Sequence, residues 1–284
     1  MLNKARSNPI IFTYIFIVSV IILNRIPIDN FIKSLNLSLE TSDSLENTIR
    51  NIVVIGICFW LIIKFEFIQF LKLDKFEIRN IIYFLPLVLY IFFLTNSTNF
   101  SEINYEVLYS TNTFIAFFEK LTSAVLEEII FRGLVLSLIL HKYVERKNGI
   151  FTSVLITSFI FGTLHIVNLD TQTELLTTEG VFKQIFYATC LGVLFSAMFL
   201  KSRNLYILVA GHFVLNISSM LDRFQINSIG HAVPIIKEKS TLEIIASLFA
   251  IFVLFGVAAL IGIAILKTID LKQLKSQMNL GMNG

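Results

Sequence analysis

The stretch LEEIIFRG, residues 126–133, carries three charged side chains in the middle of a long apolar run. An ionisable group inside a membrane span costs roughly 2.5–3.5 kcal/mol on insertion scales, so each charge needs a physical reason. Residues four apart share a helix face, and Glu128 is therefore expected to pair with Arg132. Glu127 lies about 100° further around the helix and has no cation of its own in this stretch.

The composition of the whole chain indicates a membrane protein. Of 284 residues, 55% are hydrophobic and 15% are charged, whereas soluble domains have roughly 45–50% and about 25%. This balance argues against a water-soluble enzyme. The net charge is +3 and the basic residues form no stripe, so nucleic acid is not an expected partner. Cys58 and Cys190 lie in apolar runs without disulfide or metal-ligand spacing, and both are expected to be small buried hydrophobic residues.

Apolar runs recur along the entire chain, and a membrane span needs about 20 mostly apolar residues. They predict an all-α polytopic membrane protein with about eight transmembrane helices, forming a single integral membrane domain over residues 1–284. The predicted spans are Pro9–Leu23, Ile52–Ile63, Ile81–Thr95, Thr113–Leu140, Ile150–Val167, Val181–Leu200, Leu205–Leu221 and Leu242–Leu266.

The distribution of Lys and Arg between the short connections predicts the orientation of these spans. With the N-terminus inside, the cytoplasmic connections collect 14 of these residues and the opposite side collects six. The segment Asn96–Asn112, on the outer side, contains no Lys or Arg. Both termini are therefore expected to be cytoplasmic.

Two other predicted spans also carry polar side chains at helical spacing. His165 follows Phe161 by four residues, and Asn216 follows His212 by four. Taken singly, each of these residues has a structural interpretation. The histidines and Asn216 can form interhelical hydrogen bonds, and the pair of Glu128 with Arg132 can be purely structural. Their confinement to three of eight spans favours a shared polar chamber. There a carboxylate can accept a proton from water, while two histidines orient that water, stabilise an oxyanion or bind a metal.

These residues match three motifs of the CPBP intramembrane proteases, a group also called the CAAX protease or Abi family, which the chain therefore resembles. It reads EExxxR at Glu127–Arg132, FxxxH at Phe161–His165 and HxxxN at His212–Asn216. The order and spacing of all three motifs on separate apolar helices make the resemblance specific. It covers about a third of the chain and implies a catalytic core at about residues 113–222.

The resemblance implies an intramembrane endopeptidase with an enclosed polar cavity. A glutamate would activate the attacking water, a histidine would orient that water, and a second histidine with an asparagine would stabilise the oxyanion. In that order, the implied catalytic residues are Glu127, His165, His212 and Asn216. The implied supporting residues are Glu128, Arg132 and Phe161.

A metal is one of two expectations for the mechanism. The family is described as a metalloprotease group, and Glu127, His165 and His212 would provide three zinc ligands with an open fourth position for water. A metal-free glutamate mechanism is equally compatible with the sequence.

The expected partners are the lipid bilayer and a membrane-associated peptide or protein substrate. The richness in Ile, Phe, Asn and Lys resembles bacterial chains, so a bacterial plasma membrane is the expected location. Two alternatives remain: a non-catalytic membrane protein for bacteriocin self-immunity or binding, and a proton-coupled transporter. The predicted orientation places Glu127 and His165 in the outer half of the membrane, whereas relatives that cut prenylated C-termini act from the cytosolic side.

Overall fold

The computed structural model describes residues 2–24, 37–71, 103–170, 178–218 and 241–277, together with residues 26, 28, 32, 35, 85, 88 and 220. Within these residues the chain is helical and has no β-strand, which confirms the all-α class. The helices are α1 (Leu2–Ser7), α2 (Pro9–Asn24), α3 (Leu39–Lys64), α4 (Tyr105–Leu108), α5 (Thr111–Glu128), α6 (Leu136–Tyr143), α7 (Gly149–Thr163), α8 (Thr178–Ser202), α9 (Leu205–Ser218), α10 (Thr241–Leu266) and α11 (Leu271–Gln277). A π-helical segment, Ile129–Val135, joins α5 to α6, and 3-10 turns cover Phe67–Leu71 and Leu164–Asp170.

Four helices of the described part are long and apolar enough to cross a membrane, and two more are apolar but shorter. The four are Leu39–Lys64, Gly149–Val167, Gly180–Ser202 and Leu248–Leu266; the two are Pro9–Leu23 and Leu205–Ser218. All six overlap predicted spans. Of the predicted third span, Ile81–Thr95, the structure describes only Leu85 and Val88.

The predicted second span, Ile52–Ile63, is only the second half of a longer helix. α3 starts directly after Ser38, whose Oγ accepts a hydrogen bond from Thr41 N at 3.3 Å and so caps the helix. The first half of α3 is polar, so hydropathy does not predict it. The cap and the packing against α5 stabilise this half as a helix. Asn51 donates to Thr122 Oγ1 on α5 at 3.3 Å.

The predicted fourth span is a continuous helical run whose centre is π-helical. α5 passes into the π-segment directly after Glu128, and α6 continues the run. Such π-turns are rare and occur frequently at functional sites. All residues of the segment are buried, and a Cβ on Gly133 would lie 3.0 Å from Ile62 Cδ1 of α3. The charged stretch therefore lies in the core of the helix bundle.

Small residues bring α7, α8 and α10 close together. A Cβ on Gly162 of α7 would lie 1.9 Å from Thr189 Oγ1 of α8. A Cβ on Gly262 of α10 would lie 3.0 Å from Leu194 Cα, also on α8. Helices in membranes pack closely at such positions because the backbones can approach without an intervening side chain.

Connections that share a predicted side of the membrane meet at one end of the bundle. Arg6 of α1 donates to Phe65 O, just after α3, at 2.8 Å. Lys201, near the end of α8, donates to Thr268 O, just after α10, at 3.1 Å. Phe67 contacts His141 near the end of α6, and Lys275 of α11 pairs with Glu145 just after α6, so both contacts lie where α6 ends. We call this the basic end of the bundle.

Candidate active site

The ion pair expected within the charged stretch is present and fully enclosed. Glu128 is the last residue of α5, and Arg132 lies one turn later in the π-segment. Arg132 Nη1 donates to Glu128 Oε1 at 3.0 Å, and the two side chains are 1% and 0% exposed. The guanidinium group lies over the rings of Phe161 and Phe195, at 5.0 and 5.5 Å from their centroids. Aromatic faces thus stabilise a cation that water cannot reach.

Glu128 also holds His212 of α9, a contact that the sequence did not predict. His212 Nδ1 lies 2.9 Å from Glu128 Oε1, the same oxygen that Arg132 contacts. A carboxylate only accepts hydrogen bonds, so Nδ1 is the donor. That bond fixes the ring and directs its other nitrogen, Nε2, to a position 3.5 Å from Glu127 Oε2.

Of the two adjacent glutamates, Glu127 is the one that water can reach. Its side chain is 28% exposed, whereas that of Glu128 is 0% exposed. Glu127 Oε1 accepts a hydrogen bond from Ser123 Oγ at 3.3 Å, one turn earlier on α5. The other oxygen faces His212 Nε2. Two adjacent glutamates therefore occupy different environments, one enclosed by Arg132 and one open to the cavity.

His165 reaches the same region from α7, although it does not lie within an α-helix. α7 ends at Thr163, and His165 belongs to the 3-10 turn that follows. Phe161 and His165, four residues apart, are in contact: their ring centroids are 5.6 Å apart in an edge-to-face arrangement. The Phe161 ring also packs edge-to-face against Phe131, at 4.8 Å, and against His212, at 6.2 Å. The Phe161 ring thus contacts Arg132 of the ion pair and both histidines.

Asn216 follows His212 by one turn of α9. Its Nδ2 donates to Lys120 O of α5 at 3.5 Å, which ties α9 to the helix that carries Glu127. His212 and Asn216 face the same cavity, as their spacing predicts. Both could therefore approach one substrate carbonyl.

All four predicted catalytic residues line one cavity of about 490 Å³. It also exposes polar residues that the sequence analysis passed over, of which Gln184 and Tyr187 come from α8. Gln184 is a polar residue inside a predicted span, and this position could have identified it as a candidate cavity residue. The cavity is lined by Lys120, Ser123, Glu127, Phe161, His165, Gln184, Tyr187, Ala188, Leu191, Phe195, His212, Leu215 and Asn216.

The cavity lies away from the basic end of the bundle. On α8 its lining runs from Gln184 to Phe195, whereas Lys201 at the basic end follows at the end of the same helix. α9 begins close to Lys201, and only the second half of α9, from His212 onward, lines the cavity. Phe195 of α8 and His212 of α9 lie at the same level, since their ring centroids are 6.2 Å apart.

The structure does not group the three expected zinc ligands, Glu127, His165 and His212, as a metal site. Within the part of the chain that the structure describes, no three His, Cys, Asp or Glu side chains are grouped so that they could hold a metal ion. Glu127, His165 and His212 share the cavity, yet they do not satisfy this requirement. Zinc therefore stays a prediction.

Comparison with known proteins agrees with the three motifs. Residues 109–218 match the family model described as type II CAAX prenyl endopeptidase Rce1-like. This part of the chain is therefore similar to the CAAX proteases. The matched region contains all three motifs and confirms the resemblance drawn from them. No curated protein and no solved structure matches the chain. The single-domain organisation and the core limits of 113–222 stay predictions.

Proposed function

We propose that the protein is an intramembrane endopeptidase that cleaves a membrane-associated peptide or protein by glutamate-activated water. One observation carries the proposal: Glu127 is open to the cavity and faces His212 Nε2, while Glu128 is enclosed and holds the other nitrogen of that ring. A structural ion pair alone would need no second, exposed glutamate. The family of residues 109–218 is a protease family and supports the same activity.

In the proposed reaction, Glu127 accepts a proton from a water molecule as the water oxygen attacks the scissile carbonyl carbon. A carbon–oxygen bond forms and the carbonyl oxygen becomes an oxyanion. Glu127 passes this proton to His212 Nε2, 3.5 Å away, so that His212 Nε2 and Asn216 Nδ2 both donate to that oxyanion. The carbon–nitrogen bond then breaks, and the proton returns through Glu127 to the leaving amine. His165 orients the water from the 3-10 turn that follows α7.

Glu128 and Arg132 act as positioning residues in this scheme. Glu128 accepts from His212 Nδ1 and thereby fixes the direction of Nε2. Arg132 compensates the charge of Glu128, which would otherwise be enclosed without a cation. Phe161 covers this pair, in keeping with its supporting role.

We propose in addition that the chain has eight spans with both termini in the cytoplasm, in the plasma membrane of a bacterium. The basic end then faces the cytoplasm, where Lys and Arg are favoured. The cavity lies away from that end, so a substrate would reach Glu127 from the extracytoplasmic side. This arrangement favours secreted or surface peptides over cytosolic prenylated C-termini.

The experiment compares peptide termini between cells that carry the wild type, Glu127→Gln or Glu145→Gln at equal abundance. Gln keeps the shape of Glu127 but removes the base, whereas Glu145 lies in the exposed connection after α6 and serves as the matched control. Mass spectrometry of membrane and secreted fractions should find termini that the wild type and the control produce and Glu127→Gln does not. The same samples, treated with a chelator, test for a metal.

Identical termini in all three strains, with each protein inserted, would contradict the proposed protease. If protection against a bacteriocin then persisted in the Glu127→Gln strain, the protein would act by binding, as the immunity alternative requires.

A further inference from the structure

A second cavity, separate from the candidate active site, lies between the start of α7 and the end of α10. Its volume is about 430 Å³. Arg146 and Lys267 contribute cations to its lining, and Ile150, Phe151 and Ile263 contribute apolar surface. Both cations are exposed to solvent. Nothing in the proposed hydrolysis uses this cavity.

The local charge is strongly positive around these two cations. The Arg146 guanidinium group packs on the ring of Tyr143, with its central carbon 4.7 Å from the ring centroid. The acid next to it, Glu145, forms an ion pair with Lys275 of α11 and so does not neutralise Arg146. The other acid nearby is Asp270, and residues 142–147 and 267–275 together carry six basic and two acidic side chains.

The start of α7 adds a further attraction for an anion. Asn148 precedes the helix with φ of 61°, in the left-handed region, and its side chain does not cap the first turn. Gly149 N donates to Arg146 O at 2.9 Å, and a Cβ on Gly149 would lie 1.8 Å from Tyr143 O. The tight turn thus requires glycine and keeps Arg146 beside the positive end of the helix.

The cavity continues into apolar surface that faces away from the core. On α7, Phe151, Leu155 and Phe159 follow one another at spacings of four and are 36%, 39% and 59% exposed. On α10, Leu260 precedes Ile263 by one turn and is 65% exposed. Both rows lead from the cationic rim toward the centre of their helices. A ligand that fits must therefore combine an anionic group with long apolar chains.

We propose that this cavity binds an anionic phospholipid. Its phosphate lies between Arg146, Lys267 and the first turn of α7, and its acyl chains cover the exposed apolar rows. Basic pockets between membrane helices bind anionic head groups in this way, and each Lys or Arg near the surface contributes about 1 kcal/mol, or about fivefold in affinity. Charge complementarity selects an anionic lipid over a zwitterionic one with the same chains.

The experiment is a lipid titration of the purified full chain in neutral detergent, followed by native mass spectrometry. Phosphatidylglycerol and phosphatidylcholine with identical acyl chains are the two probes. The wild type should bind one phosphatidylglycerol about 25-fold more tightly than phosphatidylcholine, given two cations at about fivefold each. Arg146→Gln with Lys267→Gln should remove that preference, and the single variants should each lose about fivefold.

The control is Lys4→Gln with Lys64→Gln, two exposed cations outside this cavity, which should keep the preference. Equal binding of the two lipids by the wild type would overturn the proposal, as would the same loss in the control. A titration with inorganic phosphate distinguishes a lipid from a free anion: if phosphate at equal concentration displaces the lipid, the proposal is wrong. All of the changed residues are exposed, so the variants should unfold at the temperature of the wild type.

Discussion

Replacing Arg132 with Met should destabilise the protein far more than the loss of a surface charge would. Met retains much of the volume and the apolar stem of Arg132 but removes the cation. Glu128 is 0% exposed, and within the described part of the chain its Oε2 has no hydrogen-bond partner. After the change, only the bond from His212 Nδ1 would remain at its other oxygen. A carboxylate would thus be enclosed without its cation.

The magnitude follows from this enclosure. Breaking a buried ion pair by removing one partner costs about 3–5 kcal/mol in the free energy of unfolding. In a chain of 284 residues, about 1 kcal/mol shifts the melting temperature by about 2 °C. Arg132→Met should therefore melt about 6–10 °C below the wild type.

The matched variant neutralises both partners. In Glu128→Gln with Arg132→Met no charge is enclosed, and the Gln oxygen can still accept from His212 Nδ1. Replacing a buried pair by uncharged groups is often nearly neutral, and the main loss is that of the guanidinium over Phe161 and Phe195, about 2 kcal/mol. The double variant should thus melt within about 4 °C of the wild type and regain most of the stability that the single variant loses.

The protein contains its own probe for this measurement. Cys58 and Cys190 are buried free thiols, as the sequence predicts, so a thiol-reactive fluorogenic dye reports unfolding in detergent. Lys147→Met, which removes an exposed cation, is the control and should melt with the wild type. The reasoning would be refuted if Arg132→Met melted with this control, or if the double variant were no more stable than the single one.

Three further predictions concern packing, chemistry and orientation. Gly162→Ala should lower the melting temperature by several degrees in the same dye assay, because its Cβ would lie 1.9 Å from Thr189 Oγ1; an unchanged value would contradict the close helix crossing. Asn216→Ala should lower kcat by about 10²–10³-fold on a cleaved peptide while the melting temperature stays close to that of the wild type, since one oxyanion donor is lost; full activity would exclude that role. In intact cells, a membrane-impermeant maleimide should label a cysteine at Asn112, on the cavity side, and not one at Lys147, and the reverse pattern would invert the proposed orientation.

Much of this protein could be predicted from local sequence patterns. Apolar runs identified six helices that the structure contains, because transfer of apolar side chains into lipid depends on composition alone. The pairing of Glu128 with Arg132 was also predictable, since helical periodicity alone brings residues four apart together. The same periodicity placed His212 and Asn216 on one face.

Other features depend on contacts between helices, which no local pattern contains. The bond from His212 to Glu128 joins residues 84 positions apart, and it exists only because α9 packs against α5. Gln184 enters the cavity because Gly162 allows α7 and α8 to approach closely. The polar first half of α3 is helical because a cap and a neighbouring helix order it, not because it is apolar. The sequence by itself determined which residues carry the chemistry, and tertiary packing decided which glutamate faces water, because only packing sets what surrounds each carboxylate.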